Sequence, residues 1–159
     1  MALAAGGLSA GDRAPNFKLA TDGGEEVSRA ALKGRPFVLY FYPKDDTAGC
    51  TREAVDFSAA AGKFAKLEIP VIGISKDSVA SHEKFRKKHK LKITLASDTD
   101  IKTAQDWGVW VEKSLYGRKY MGMERATFLV DAKGVIVEAW HKVKVPGHVE
   151  AVLAAAKSL

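Results

Sequence analysis

A chain of 159 residues with 47% hydrophobic content can bury one globular core, and 28% charged residues is ordinary for a protein in water. No apolar run approaches the roughly 20 residues that a membrane-spanning helix needs. An excess of 25 Lys and Arg over 19 Asp and Glu gives a formal charge of +6; its densest run, 84–90 (KFRKKHK), lacks interleaved aromatic residues and reads as a solvated helix face, so no specific nucleic-acid binding is expected.

In chain order, residues 1–10 are small and carry neither a basic n-region nor a long apolar run. They read as a flexible leader ahead of a single domain, 1–159, and not as a signal peptide. Residues 17–19 and 25–27 read as a first hairpin turning at Asp22 and Gly23. The run 37–42 (FVLYFY) is continuously apolar, as in a strand covered on both faces. Pro43, Lys44, Asp45 and Asp46 then form a turn, and a helix is predicted from about Cys50 to Leu67. Its apolar stripe is Ala54, Phe57, Ala61 and Phe64. Pro70 opens a second strand, 71–75, and this strand–helix–strand spacing implies a parallel crossover.

Ser78 is placed to cap the next helix, which runs to about His89 with Val79, His82 and Phe85 on one face. A short strand at 93–95 and a short helix over 99–107 follow. Residues 127–131 and 135–140 form a hairpin turning at Ala132, Lys133 and Gly134, and 148–158 is a closing helix. The order implies an α/β fold: a central mixed sheet with helices on both faces and an N-terminal hairpin. Function in such sheets collects where a strand ends and the next helix begins.

Cys50 occupies such a place. A lone cysteine cannot form an internal disulfide, so no oxidising compartment is required and a cytoplasmic location is expected. A single cysteine is ordinarily a small buried hydrophobe. This one lies in the first turn of a predicted helix, where unpaired N–H groups and the helix dipole favour an anion and thus a thiolate. Thr47, three residues earlier, carries a hydroxyl that can accept from the thiol or donate to a substrate oxygen, or can simply cap the helix. Pro43 ends the strand and has no N–H to offer.

Asp45 and Asp46 read as turn residues with no partner for acid–base work, and Arg52 as a solvated charge. Glu53 in a first helical turn is favourable for the dipole alone. His82, His89, His141 and His148 show no metal-ligand spacing, so no metal or cofactor is expected. There is no C-x-x-C, which argues against disulfide oxidoreductase chemistry.

The arrangement Pro43-x3-Thr47-x2-Cys50 resembles the active-site motif of peroxiredoxins. YFYPKDDTAGCTREA (40–54) is similar to the bacterioferritin comigratory protein, or PrxQ, subfamily, as are GDRAPNF (11–17) and GVWVEKSLYGRKYMGMERATFLVD (108–131). The resemblance covers nearly the whole chain. It implies a thioredoxin-like fold and a thiol peroxidase with Cys50 as peroxidatic cysteine, Thr47 and Pro43 in the pocket, Arg125 beside the thiol, and Glu53 orienting that arginine. Trp107 and Trp110 are expected near the rim of the site.

Members of this subfamily often carry a resolving cysteine five residues after the first, where this chain has Val55, or on the next long helix near Phe85 or Arg86. Neither is present, so a one-cysteine mechanism is expected. Its partners would be a hydroperoxide and an external thiol reductant, either thioredoxin or glutathione with glutaredoxin. The resemblance favours a monomer, with a dimer through the active-site edge, as in related peroxiredoxins, as the alternative. The alternative reading is a peroxide sensor that relays its oxidation to a partner protein.

Overall fold

The computed structural model describes residues 7–159. Five consecutive buried residues form β3 (Phe37–Phe41). Successive side chains of a strand point to opposite faces, so a strand that is apolar throughout must be covered on both. Phe37, Leu39 and Phe41 accordingly enter one core, while Val38, Tyr40 and the following Tyr42 enter another.

β3 pairs in parallel with β4 (Val71–Ser75) and antiparallel with β8 (Ala126–Val130). The other strands of this sheet are the hairpin β1 (Lys18–Thr21) and β2 (Glu26–Ser28), then β5 (Thr94–Ser97) and β9 (Ile136–Trp140). Their order is β2-β1-β5-β4-β3-β8-β9. β4 and β5 are parallel, whereas β1 and β9 attach antiparallel at the two sides. This is the expected mixed sheet with its N-terminal hairpin, in a thioredoxin-like arrangement.

The helix predicted to run on to Leu67 is two helices, α1 (Ala48–Ala59) and α2 (Ala61–Lys66). The break falls at Ala60, two residues before Gly62, the poorest helix former of this stretch. Phe57 and Phe64 nevertheless enter the same core. The remaining helices are α3 (Val79–His89), α4 (Lys102–Asp106) and α5 (His148–Lys157). Ser78 caps α3 as expected, its side chain accepting from Ser81 N–H. The basic residues Lys84, Lys87, Lys88 and Lys90 are exposed.

Between α4 and β8 lies a two-stranded ribbon that periodicity alone did not reveal: β6 (Trp110–Leu115) and β7 (Arg118–Met123). Its turn places Tyr116 and Gly117 both at positive φ, 50° and 78°, as a tight primed hairpin turn requires. The signal was Gly117 between two segments of mixed polarity, with tyrosine standing where asparagine is usual.

The leader reading for residues 1–6 lies outside the described residues. Leu8, within the same stretch, is buried, and its carbonyl accepts from His141 Nε2 at 2.6 Å. No helix of the described residues is long and apolar enough to cross a membrane.

Candidate active site

The last ladder bond at the end of β3 is donated by Tyr42 N–H to the Ile74 carbonyl at 3.0 Å. Pro43 follows, half-buried and without an N–H, and the chain turns away from the sheet. Asp46 adopts the left-handed conformation (φ 59°), which Asp tolerates better than most residues. Thr47 is the N-cap of α1, in extended conformation. Its hydroxyl does not cap the helix; it donates to the Lys44 carbonyl at 2.9 Å, which leaves the oxygen free to accept.

The first bond of the α1 ladder runs from Thr51 N–H to the Thr47 carbonyl at 2.8 Å. The N–H groups of Ala48, Gly49 and Cys50 thus have no backbone partner among the described residues. Cys50 sits with them, 1% exposed.

Arg125 is the residue immediately before β8, whose first residue, Ala126, pairs with Phe41 at the end of β3. Nη2 lies 3.3 Å from Cys50 Sγ, and Nη1 donates to Glu53 Oε1 at 2.8 Å. One guanidinium therefore spans the thiol and the carboxylate. The Arg125 carbonyl is held by Val143 N–H at 2.9 Å. Gly49 leaves room for the guanidinium: a Cβ there would lie 3.1 Å from Arg125 Nη2, close enough to press it aside by a few tenths of an ångström.

Glu53 is fully buried, and its second oxygen, Oε2, has no partner among the described residues. Burial pushes its carboxyl up to about 7, and the charge and hydrogen bond of Arg125 offset this only in part. A carboxyl in this state exchanges its proton near neutrality.

Tyr40 lies beneath, stacked on Phe57 at 4.6 Å, its hydroxyl unpartnered among the described residues. Burial, and then the neighbouring Glu53 and Cys50, keep that phenol protonated well beyond its ordinary range. His148 Nε2 meets Thr127 Oγ1 at 2.7 Å. Burial, reinforced by the charge of Arg125, pushes the imidazole down to about 4, so it is neutral at pH 7.

The structure thus brings together Cys50, Arg125 and Glu53, with Thr47 at the cap of the same helix and Pro43 at the start of the turn. It also corrects several expectations. Trp107 is not at the rim; it is fully buried on the other face of the sheet, edge-on to Phe128 at 5.1 Å. An indole is large and apolar enough that the deeper core outcompetes a half-wet rim. Trp110, by contrast, is only half-buried: it packs against the edge of that core, with Lys76 Nζ, just past the end of β4, 6.0 Å from its ring.

Asp45 and Asp46 are not unpartnered. Asp46 meets Lys88 Nζ at 2.7 Å and His89 Nε2 at 2.9 Å, and Asp45 pairs with buried His82 at 2.7 Å. Sequence reasoning also missed Gly49, Tyr40 and His148. Only Gly49, next to the cysteine, left a local hint. Arg52 is a solvated charge as expected, linked to Asp56 one turn on.

A cavity of about 580 Å³ lined by Pro36, Phe64, Ile69 and Pro70 lies at the opposite end of the strands from Cys50. A large cavity is the usual default for a ligand site. Here the polarised thiol is elsewhere, and its chemistry outweighs the volume.

A model of the AhpC/TSA family matches residues 10–139. A putative peroxiredoxin bcp of Coxiella burnetii is 49% identical over 92% of this chain and 97% of its own. Peroxiredoxin Bcp of Bacillus subtilis is 44% identical over 96% of this chain and 97% of its own. Among solved structures, peroxiredoxin Q of Xanthomonas campestris superposes with a TM-score of 0.85 at 44% identity, covering 89% of this chain and 90% of that one. A structure of the bacterioferritin comigratory protein of the same organism, described for its alkyl peroxide reduction activity, has the same TM-score at 43% identity, with 89% and 90% coverage. Family match, identity and superposition agree along nearly the full length, and the chain belongs to the AhpC/TSA family, among its peroxiredoxins of the bacterioferritin comigratory protein and PrxQ type.

Proposed function

We propose that this chain reduces hydroperoxides at Cys50 and that a thiol from outside the chain completes the cycle. The observation that carries the reading is the Arg125 guanidinium, bonded at once to Cys50 Sγ at 3.3 Å and to Glu53 Oε1 at 2.8 Å. A fixed cation beside the sulfur favours the thiolate. Its remaining donors are available to the oxygens of a peroxide, where charge develops as the O–O bond breaks.

In the first step the Cys50 thiolate attacks the terminal peroxide oxygen. An S–O bond forms, the O–O bond breaks, and the electron pair leaves on the second oxygen, which takes a proton to give water or an alcohol. Cys50 is left as a sulfenic acid. Thr47 Oγ1 and the unpaired N–H groups of the first turn of α1 supply the other polar contacts, and Pro43 shields the sulfur from water. Glu53 holds Arg125 in register.

In the second step an external thiolate attacks the Cys50 sulfur and expels the oxygen as water, forming a mixed disulfide. A second thiol then releases Cys50. The chain has a single cysteine, so no internal disulfide can form. Candidate reductants are thioredoxin, or glutathione with glutaredoxin. Candidate substrates are hydrogen peroxide and organic hydroperoxides, the latter favoured by the alkyl peroxide activity of the Xanthomonas relative.

The test is peroxide consumption with each reductant in excess, followed by mass spectrometry of Cys50. Sustained turnover through a Cys50 sulfenic acid is expected. A single oxidation event that then stalls, with oxidation passed to another protein, would favour the sensor and relay alternative.

A further inference from the structure

The turn between Pro43 and Thr47 is held by a polar cluster that the peroxide chemistry described so far does not use. Asp45, its middle residue, is buried, with its side chain only 5% exposed. Its carboxylate accepts from Tyr42 Oη at 2.6 Å on one oxygen, and from Ser81 Oγ at 2.8 Å and His82 Nδ1 at 2.7 Å on the other. Its backbone N–H donates to the Asp77 carboxylate at 2.8 Å, and Asp77 in turn accepts from Ser75 Oγ at 2.6 Å. The end of β3, the end of β4 and the first turn of α3 therefore meet at one residue of the turn.

His82, with no exposed side-chain surface, is a full member of this cluster. Its Nε2 lies 3.0 Å from the Ala96 carbonyl of β5, and its Nδ1 faces the carboxylate. Carbonyls and carboxylates only accept, so both ring nitrogens are placed to donate. Burial opposes ionisation of Asp45, but the bonds from His82, Tyr42 and Ser81 outweigh it and hold the carboxyl below its ordinary range. Such a cluster has one low-energy geometry, because moving the turn would strand buried charge.

The turn so fixed leads directly into the N-cap. Thr47 is two residues past Asp45, and Cys50 is three further on in the first turn of α1. Asp46 between them is in the left-handed conformation and is tied to α3 through Lys88 and His89. Displacement at Asp45 is thereby passed to Thr47 and to the unpaired N–H groups beside the thiol.

We propose that Asp45 is a positioning residue for peroxide reduction, with His82 and Ser81 as its holders: the buried cluster keeps Thr47 and the first turn of α1 in line with Cys50 and Arg125. This rests on the peroxidase reading above.

The experiment compares two bimolecular rates at reduced Cys50: oxidation by hydrogen peroxide, which requires alignment of an O–O bond, and alkylation by iodoacetamide, which requires the thiolate alone. The wild-type ratio tests the peroxidase reading by itself, since an unspecialised thiol shows no peroxide preference. The change in that ratio tests Asp45. Asp45→Asn and His82→Gln are expected to lower the peroxide rate about ten- to a hundredfold, with alkylation changed less than about threefold, because small misplacements weaken aligned reactions most. Ser81→Ala and Tyr42→Phe each remove a single bond to the carboxylate and leave the core volume nearly unchanged. They keep the test decisive if the larger changes impair folding, and each is expected to give a selective loss of a few fold. Equal losses in both rates, or an unchanged ratio in all four variants, would overturn the proposal.

Discussion

The two faces of the seven-stranded sheet are built from alternate residues of the same strands, yet they differ in kind. The face covered by Trp107 and the N-terminal segment packs Phe17, Phe37, Leu39, Phe41, Ile74 and Phe128, and its buried acids Asp98 and Glu124 are held by backbone N–H groups and by His141, away from the thiol. The face covered by α1, α3 and α5 shares its apolar residues with Cys50, Glu53, Asp45, His82, Thr127 and His148, all buried. Charge is costly to bury unless partnered. Each charged group of the second face is correspondingly tied to another: Glu53 to Arg125 and Asp45 to His82. One face supplies stability, and the other spends part of it to hold the Cys50 thiol in a fixed electrostatic setting.

Substitutions can break that comparison, and the largest effect is expected at its centre. Cys50→Ser should abolish peroxide consumption while leaving the fold intact, read by peroxide assay and circular dichroism. Arg125→Ala removes the donor aimed at the sulfur and should lower kcat/KM about a hundred- to a thousandfold, the scale of losing one preorganised donor. On the opposite face, Trp107→Ala should cost about 3–5 kcal/mol of stability in urea titrations. Its rate of Cys50 oxidation under native conditions should stay within about twofold, and a loss comparable to that of Arg125→Ala would show that the faces are not separable.

Smaller changes sharpen the same contrast. The Cβ of Gly49→Ala would press on the Arg125 guanidinium, and a few-fold loss of peroxide reactivity is expected with little change in melting temperature. Much of the pH response should come from the active-site face. Glu53, raised from its ordinary 4.5 to about 7, binds more protons folded than unfolded, so its contribution to stability is present below about 4.5 and lost as pH rises through 7. His148, lowered from 6.5 to about 4, has the opposite slope: its contribution is present above about 6.5 and lost as pH falls through 4. The two partly cancel between those limits. Unfolding free energies from urea titrations across this range should therefore tilt toward higher stability at high pH in Glu53→Gln, and toward higher stability at low pH in His148→Gln. The tilts should be up to about 3 kcal/mol, smaller for His148, which is less deeply buried than Glu53.

Much of this was legible locally. The run FVLYFY marks a strand covered on both faces, Pro43 marks its end, and Thr47 followed by Cys50 marks a helix start with a thiol at the anion-favouring position. Those signals depend only on neighbouring residues. The break at Ala60 was not legible because its alanines favour continuous helix, and the ribbon at β6 and β7 was not because mixed polarity leaves the choice of structure to tertiary contacts. Trp107 was misjudged for the same reason, since composition cannot say which core is nearer.

The sequence by itself determined the chemistry on offer: one thiol, placed at the start of a helix, with no second cysteine to resolve it. Tertiary structure decided the setting of that thiol. Arg125 lies 75 residues from Cys50 and 72 from Glu53, and Asp45 lies 37 from His82. Such pairs meet only when the sheet assembles, and the burial that raises Glu53 and depresses His148 exists only once α1 and α5 close over it. Local pattern names the candidate nucleophile; the electrostatic field around it belongs to the folded whole.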